Sequence, residues 1–216
     1  MRASVKVKIC GITRSEDLIH AVDAGADAVG FVVGVPSSPR NIPIEQARKL
    51  ISQVPIFTKS VLVMVPRTIE EIIETYEMVN PDAIQLHGDF LTNTKIDELK
   101  KIKVNQIQAI KIKSNEFVET PSTQGFDTIL LDTYVPGKFG GTGVAQNWEF
   151  CCKIRKTIHP KKLILAGGLT PLNVKKAIQV VEPYAVDVSS GVESSPGIKD
   201  PQKVEAFIKR VKGLKP

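Results

Sequence analysis

The sequence has few of the residues that staple small proteins or bind structural metals. Its 216 residues include three cysteines, Cys10, Cys151 and Cys152. An odd number of cysteines without paired spacing gives neither a disulfide framework nor a zinc-binding pattern. We therefore expect no metal ion, and a fold that depends on its hydrophobic core, which a chain of this length can build without staples.

Long apolar runs and targeting patterns are also missing. No run approaches the roughly 20 apolar residues that a transmembrane helix needs. The N-terminus has no apolar segment followed by a cleavage site, so we expect no signal peptide, a cytoplasmic location and no membrane contact. The net charge is +6. Without an aromatic-rich platform for bases, we interpret this charge as a solvated basic surface and expect no nucleic-acid partner.

What the sequence does contain is a regular alternation of short β-rich runs and longer segments with helical spacing. We predict strands at Val5–Cys10, Ala28–Val33, Ser60–Val65, Ala83–His87, Gln106–Ile112, Thr128–Thr133, Leu163–Gly167 and Ala185–Ser189. We predict helices at Ser15–Ala24, Ile44–Val54, Ile69–Val79, Thr94–Lys101, Asn115–Thr120, Trp148–Ile158, Pro171–Val181 and Pro201–Val211, of which the fifth is the poorest. Eight such units without a linker predict one domain over residues 1–216, a closed (β/α)8 TIM barrel with eight parallel strands. A doubly wound open sheet is the alternative.

Three short patterns predict where helices begin. Thr68 followed by Glu71 resembles a capping box, in which each residue bonds a backbone N–H of the first turn. Thr170–Pro171 and Asp200–Pro201 each place a proline at the first helical position.

Alternation within the strands predicts which side chains face the barrel interior. In the first strand the apolar residues should face the helices, which leaves Lys6, Lys8 and Cys10 facing inward. The same parity gives inward polar residues near the ends of three other strands: Gln85, His87, Asp132 and Asp187. Barrel enzymes place their catalytic groups at this C-terminal edge.

Glycine-bearing turns follow the last two strands. Gly167–Gly168 follows the seventh strand, and Ser189–Ser190–Gly191 follows the eighth. Glycine lets backbone N–H groups approach an anion, and loops in these two positions hold phosphate in many barrels. We interpret them jointly as a phosphate site, with ordinary tight turns as the alternative.

Cys10 and Asp132 are the candidates for proton transfer. A thiol acts as a base only when it is a thiolate, which a nearby cation favours, and Lys8 has the parity to supply that cation. Burial would keep the carboxyl of Asp132 protonated, so that it can act as an acid. The alternatives are a buried structural cysteine and an aspartate that caps the following loop.

Two loops add further candidates. Pro36–Arg40 carries one arginine whose fork suits a carboxylate, and Phe139–Gly143 offers Gly141 and Gly143 for a lid or a second anion contact. A surface arginine and a flexible loop are the alternatives. His87 is interpreted either as a site residue or as a structural hydrogen-bonding group.

The motifs taken together resemble phosphoribosylanthranilate isomerases of tryptophan biosynthesis. They occur in that family's order over nearly the whole chain: Lys8–Thr13, Ser38–Arg40, Gln85–Gly88, Leu131–Thr133, Gly140–Gly143, Leu165–Leu169 and Val186–Val192. The opening motif is specific to the family, whereas the Gly-Gly turn is shared by many phosphate-binding barrels.

The resemblance implies an Amadori rearrangement of an aminoaldose to an aminoketose, without a cofactor. It implies Asp132 as general acid and Cys10 as general base. Arg40 would hold the anthranilate carboxylate, Asp187 a sugar hydroxyl, and backbone amides near Gly168, Ser189, Ser190 and Gly191 the phosphate. Lys8, Gln85, His87, Gly141 and Gly143 complete the expected substrate-binding set. The expected partner is a small phosphorylated molecule, and the chain is expected to be a monomer or a homodimer.

Three rival interpretations differ in function. Another phosphosugar barrel enzyme is the nearest, such as a histidine-pathway isomerase or an indoleglycerol-phosphate synthase. The histidine-pathway isomerase is expected to have an aspartate where this chain has Cys10. A barrel that only binds a phosphorylated ligand is the second rival, and intact Cys10 and Asp132 argue against it. A nucleic-acid-binding module is the third.

Overall fold

The computed structural model describes residues 4–88, 97–111, 123, 125–132 and 148–213. Eight parallel strands close into a barrel in chain order, because β1 pairs with both β2 and β8. The strands are β1 Lys6–Ile9, β2 Ala28–Val32, β3 Lys59–Met64, β4 Ala83–Leu86, β5 Asn105–Lys111, β6 Thr128–Asp132, β7 Lys162–Ala166 and β8 Ala185–Val188. The predicted parallel barrel is confirmed, and the open sheet is excluded.

Six helices are described in full around this barrel. They are α1 Ser15–Asp23, α2 Ile44–Ile51, α3 Ile69–Val79, α4 Trp148–Ile158, α5 Val174–Val181 and α6 Pro201–Lys212. Residues 97–99 are also helical and lie inside the predicted segment Thr94–Lys101, whereas the predicted segment Asn115–Thr120 lies outside the described residues. In the part of the chain that the structure describes, no helix is long and apolar enough to cross a membrane.

Side-chain caps explain the starts of two helices. The Thr68 hydroxyl accepts a hydrogen bond from the Glu71 N–H at 3.2 Å, and the Glu71 carboxylate reaches back to the Arg67 N–H at 2.9 Å. The Asp200 carboxylate accepts from two N–H groups in the first turn of α6. Both predicted starts are confirmed, with the difference that Glu71 bonds the residue before the cap.

The predicted helix start at Thr170–Pro171 is wrong. The Asn173 side chain accepts a hydrogen bond from the Thr170 N–H at 2.8 Å and donates one to the Gly168 carbonyl at 2.9 Å. These two bonds hold the residues after β7 in a turn, so that α5 begins only at Val174. An asparagine that bonds the nearby backbone competes with helix formation in this way.

The strand alternation separates two apolar layers. Val7 and Ile9 pack in the layer between the strands and the helices, as predicted. The barrel interior is filled by a second cluster: Cys10, Val32, Val61, Val63, Ala83, Ile107, Ala109, Leu130, Ile164, Ala166 and Ala185. Lys6 lies at the N-terminal end of β1, where its ammonium donates to Asp27 and its side chain is 44% exposed. The interior polar residues therefore lie toward the C-terminal end of the strands.

A short hairpin follows the barrel and was not predicted. A 3-10 turn at Ser190–Val192 leads into the antiparallel strands β9 Glu193–Ser195 and β10 Ile198–Lys199. The Thr13 hydroxyl donates a hydrogen bond to the Gly197 carbonyl at 2.6 Å, and the Asp17 carboxylate accepts one from the Lys199 N–H at 3.1 Å. These contacts fix the hairpin beside the loop after β1, at the mouth of the barrel.

Candidate active site

A buried ion pair lies beneath the barrel mouth. The Lys8 ammonium donates to a carboxylate oxygen of Asp187 at 2.9 Å, and the two side chains are 4% and 9% exposed. Both face inward as predicted, and strand pairing places them opposite each other on β1 and β8. Burial alone would lower the pKa of Lys8, but the neighbouring Asp187 and Cys10 outweigh it and raise that pKa. Lys8 is therefore a permanent cation in the pocket.

Cys10 follows β1 and is 8% exposed. Burial raises the pKa of its thiol, Lys8 opposes this increase only in part, and the Asp187 charge adds to it. Lys8 therefore lowers the thiol pKa as expected, but burial outweighs this effect and the pKa is raised overall. The thiol is protonated at neutral pH.

Gly30 of β2 leaves room for the Cys10 thiol and the Lys8 ammonium. A Cβ atom on Gly30 would lie 2.9 Å from the Cys10 sulfur and 3.0 Å from the Lys8 nitrogen. Both distances are shorter than van der Waals contact, so any larger residue on β2 would displace the thiol or the ammonium. Gly30 was missed in the sequence, where a glycine within a strand is only a general sign of close approach.

Gln85 and His87 form a hydrogen-bonded pair on the inner face near the end of β4. The Gln85 amide nitrogen lies 2.8 Å from His87 Nε2. Burial, followed by the positive charges of Lys8 and Lys111, lowers the pKa of His87 to about 4. The imidazole is therefore neutral at pH 7, accepts from the amide at Nε2 and carries its proton on Nδ1. The Gln85 carbonyl oxygen is buried and has no partner among the described residues, which suits a ligand or water donor.

Asp132 ends β6 and is half-buried. Leu130 of the same strand lies in the interior cluster, so alternation directs Asp132 inward as well. The strands β7 and β8 lie between β6 and β1 in the closed barrel. Cys10 and Asp132 therefore rise from different walls at the same end of the barrel.

The loops after β7 and β8 form one continuous surface. Gly168 has a positive φ of 61°, which favours glycine at that position. A Cβ atom on Gly191 would lie 1.8 Å from the Leu169 carbonyl oxygen, so the backbones of the two loops are in direct contact. The loop that contains Gly168 thus packs against the loop that contains Ser189, Ser190 and Gly191. Gly141 and Gly143 lie outside the described residues.

Arg40 lies at the mouth but is already paired with a carboxylate. Its Nε and Nη2 donate to the two oxygens of Glu193 at 2.9 and 2.5 Å. Its aliphatic stem crosses Gly11, where an added Cβ atom would lie 2.9 Å from the Arg40 Cγ and 2.9 Å from the Ser189 hydroxyl. The second partner of Glu193 is Lys199, at 2.8 Å. Glu193 and Lys199 were missed, because the short polar hairpin gives no periodic signal.

The comparisons with known proteins decide the family. A family model described as N-(5'-phosphoribosyl)anthranilate (PRA) isomerase matches residues 7–210.

The chain belongs to the phosphoribosylanthranilate isomerase family.

Relatives named N-(5'-phosphoribosyl)anthranilate isomerase match this chain over nearly their whole length. The N-(5'-phosphoribosyl)anthranilate isomerase of Methanothrix thermoacetophila is 44% identical over 96% of this chain and 98% of its own. That of Geotalea uraniireducens is 46% identical over 97% and 99%. The crystal structure of phosphoribosyl anthranilate isomerase from Thermotoga maritima matches with a TM-score of 0.85 and 39% identity, covering 97% of this chain and 100% of that chain.

Membership of the phosphoribosylanthranilate isomerase family confirms the resemblance stated from the motifs. It sets aside the histidine-pathway isomerase, the indoleglycerol-phosphate synthase and the nucleic-acid module as the family of this chain. A phosphoribosyl anthranilate isomerase structure in complex with reduced 1-(o-carboxyphenylamino)-1-deoxyribulose 5-phosphate matches with a TM-score of 0.83 and 38% identity, covering 97% of this chain and 100% of that chain.

Proposed function

We infer that the isomerase reaction of tryptophan biosynthesis takes place at the mouth of this barrel. The substrate is N-(5'-phosphoribosyl)anthranilate, and the product is 1-(2-carboxyphenylamino)-1-deoxyribulose 5-phosphate. The observation that carries this inference is the placement of Cys10 and Asp132 on separate walls at the end of the barrel that also holds the paired loops after β7 and β8.

Two proton transfers make up the mechanism. Asp132 donates a proton to the ribose ring oxygen, the bond from that oxygen to the anomeric carbon breaks, and the nitrogen lone pair forms the C=N bond of a protonated, open-chain imine. Cys10, as the thiolate, then removes the proton from the adjacent sugar carbon. The C–H electron pair forms the carbon–carbon double bond of an enolamine, and the C=N pair returns to the nitrogen. This enolamine tautomerises to the ketone. Only protons are transferred, so the reaction itself requires neither a metal ion nor a cofactor.

Lys8 and Asp187 prepare Cys10 for its role as base. The charge of Lys8 is compensated by Asp187 at 2.9 Å. When Asp187 accepts a hydrogen bond from a sugar hydroxyl, its hold on the ammonium weakens, and Lys8 stabilises the Cys10 thiolate more strongly. The buried Gln85 carbonyl and the neutral His87 are placed to bind other hydroxyls of the sugar.

The two ends of the substrate are anionic, and each has a matching site. Backbone N–H groups near Gly168, Ser189, Ser190 and Gly191 bind the phosphate. Arg40 binds the anthranilate carboxylate. A family member was solved in complex with a reduced 1-(o-carboxyphenylamino)-1-deoxyribulose 5-phosphate, a compound that carries both of these anionic groups. Gly141 and Gly143 remain proposed anion contacts on sequence grounds alone.

A turnover assay tests the assignment. Purified protein should convert freshly prepared phosphoribosylanthranilate, with loss of anthranilate-type fluorescence. A sample with a cooperative melting transition that shows no turnover over a wide range of temperatures would reject it. Binding of the reduced product analogue without turnover would instead support a barrel that only binds its ligand.

Replacing Gly30 with alanine should damage the site while leaving most of the fold intact. The added methyl group would collide with the Cys10 sulfur and the Lys8 ammonium. We expect a loss of kcat of about tenfold or more, and a stability loss of about 1–3 kcal/mol for an overpacked core position. Steady-state kinetics and thermal melts measure the two effects. An unchanged kcat would show that the contact does not constrain the thiol.

The oligomeric state and the compartment are also proposals. Ile56 and Phe57, which follow α2, are 84% and 94% exposed, and such paired apolar exposure favours a homodimer over a monomer. A structure from the Thermotoga maritima family member is described as mutually generated monomers of a dimeric protein. Sedimentation equilibrium that gives only the monomer mass at micromolar concentration would reject the homodimer. Cell fractionation tests the expected cytoplasmic location.

A further inference from the structure

Glu193 is a buried carboxylate at the barrel mouth, and the mechanism above does not use it. Its side chain is 4% exposed. It accepts hydrogen bonds from Arg40 Nε at 2.9 Å, from Arg40 Nη2 at 2.5 Å and from the Lys199 ammonium at 2.8 Å. The Lys203 ammonium donates to the Glu193 backbone carbonyl at 2.8 Å. The carboxylate is thus fixed by Arg40 and by Lys199 of the hairpin, and Lys203 of α6 holds the backbone of the same residue.

The contact with Arg40 determines the direction of the guanidinium. Glu193 takes the Nε–Nη2 edge with both of its oxygens, which is the fork geometry that restricts an arginine most strongly. The stem of Arg40 is fixed as well, since it lies across Gly11 next to the Ser189 hydroxyl. The side chain is therefore held at two points beside the loop that follows β1.

The charges of the cluster agree with a permanent role for this carboxylate. Burial alone would raise the pKa of Glu193, but the hydrogen bonds and charges of Arg40 and Lys199 outweigh it, and the pKa is lowered. Glu193 therefore stays ionised at neutral pH. One carboxylate faces two cations, so the cluster of Arg40, Glu193 and Lys199 retains one net positive charge for an anionic substrate group.

We propose that Glu193 is a positioning residue that aims the guanidinium of Arg40 at the carboxylate of the substrate. The substrate carboxylate then takes the Nη1–Nη2 edge, which Glu193 does not use. Lys199 and Lys203 hold Glu193 in place. The proposal rests on the proposed function, because it assigns the carboxylate end of that substrate to Arg40.

Ligand binding separates this role from a general structural one. We would titrate two probes by calorimetry: the reduced product analogue, which carries a carboxylate and a phosphate, and ribose 5-phosphate, which carries only the phosphate. Glu193→Gln should bind the analogue about tenfold more weakly, the loss expected when one charge-assisted contact is misaligned. It should bind ribose 5-phosphate within about twofold of the wild type, since its phosphate contacts are unchanged. In kinetics KM should rise, with kcat within about threefold.

A double-mutant cycle tests whether the effect passes through Arg40. Arg40→Ala should also weaken only the carboxylated probe, and adding Glu193→Gln to it should change the affinity by less than about twofold. Glu182→Gln is the matched control, because Glu182 also pairs with an arginine, Arg155 at 3.2 Å, but on the outer helices. It should bind both probes like the wild type.

Three results would overturn the proposal. Glu193→Gln could lose affinity equally for both probes, or lose affinity for neither, or its loss could add to that of Arg40→Ala in the double mutant. If Glu193→Gln does not fold, Glu193→Asp provides the same test, because it keeps the charge but shortens the reach to Arg40. If the wild type shows no turnover but Glu193→Gln loses affinity only for the carboxylated probe, the proposed function is rejected and the role of Glu193 is retained. Turnover by the wild type, together with equal losses of affinity for both probes in Glu193→Gln, would retain the proposed function and reject the role of Glu193.

Discussion

Replacing Cys10 with serine should lower kcat for phosphoribosylanthranilate about 10²- to 10⁴-fold, the range that a positioned general base contributes. Serine fills nearly the same space beside Gly30, but its hydroxyl loses a proton far less readily than a thiol. Lys8 and Asp187 keep their ion pair, so binding of the reduced product analogue should persist.

Cys152→Ser is the matched control for this substitution. Cys152 is half-buried on α4, outside the barrel interior, and its replacement should leave kcat within about twofold of the wild type. Stopped-flow or steady-state fluorescence measures both variants. A Cys10→Ser enzyme with near-normal kcat would remove the thiol from proton transfer and leave it as a core residue.

Replacing Asp132 with asparagine should lower kcat by a similar factor, about 10²- to 10⁴-fold, because an amide cannot supply the proton that opens the ribose ring. The side chain keeps its size, so the fold and the affinity for the product analogue should change little. Near-normal turnover would show that another group donates this proton, and Asp132 would then be a loop-capping residue.

Asp127→Asn is the control at the opposite end of the same strand. Asp127 precedes β6 and is exposed, and its carboxylate lies away from the barrel mouth. This variant should turn over substrate at the wild-type rate. A comparable loss in Asp127→Asn would indicate that both substitutions act by disturbing β6, not by removing an acid.

The sequence predicts the barrel and the inward polar groups because both follow from local patterns. Alternation within β1 places Lys8 and Cys10 on the inner face, and the same rule places Asp187 on the inner face of β8. Closure of the barrel then makes β1 and β8 neighbours, which explains why Lys8 and Asp187 meet. Periodicity and closure together are sufficient for this part of the site.

Contacts between distant loops could not be predicted in the same way. Arg40 and Glu193 are 153 residues apart, and Glu193 belongs to a hairpin strand of three residues. Neither residue has a local pattern that identifies its partner. The thiol pKa likewise depends on burial and on the pairing of Lys8 with Asp187, which are properties of the folded pocket alone.

The shift in where α5 begins has a local cause. Thr170–Pro171 has the composition of a helix start, but the Asn173 side chain bonds both Thr170 and Gly168 and fixes a turn. This turn places the loop after β7 against Gly191. Local bonds of the Asn173 side chain to the backbone therefore override the helix signal of Thr170–Pro171.

A crystal structure with the reduced product analogue bound tests the central claim most directly. We predict the Cys10 sulfur within about 4 Å of the sugar carbon next to the amine-bearing carbon, and the Asp132 carboxyl within hydrogen-bond reach of the former ring oxygen, on different sides of one ligand. A ligand bound with its phosphate elsewhere than the loops after β7 and β8, or with the sulfur turned away from the sugar, would contradict the account.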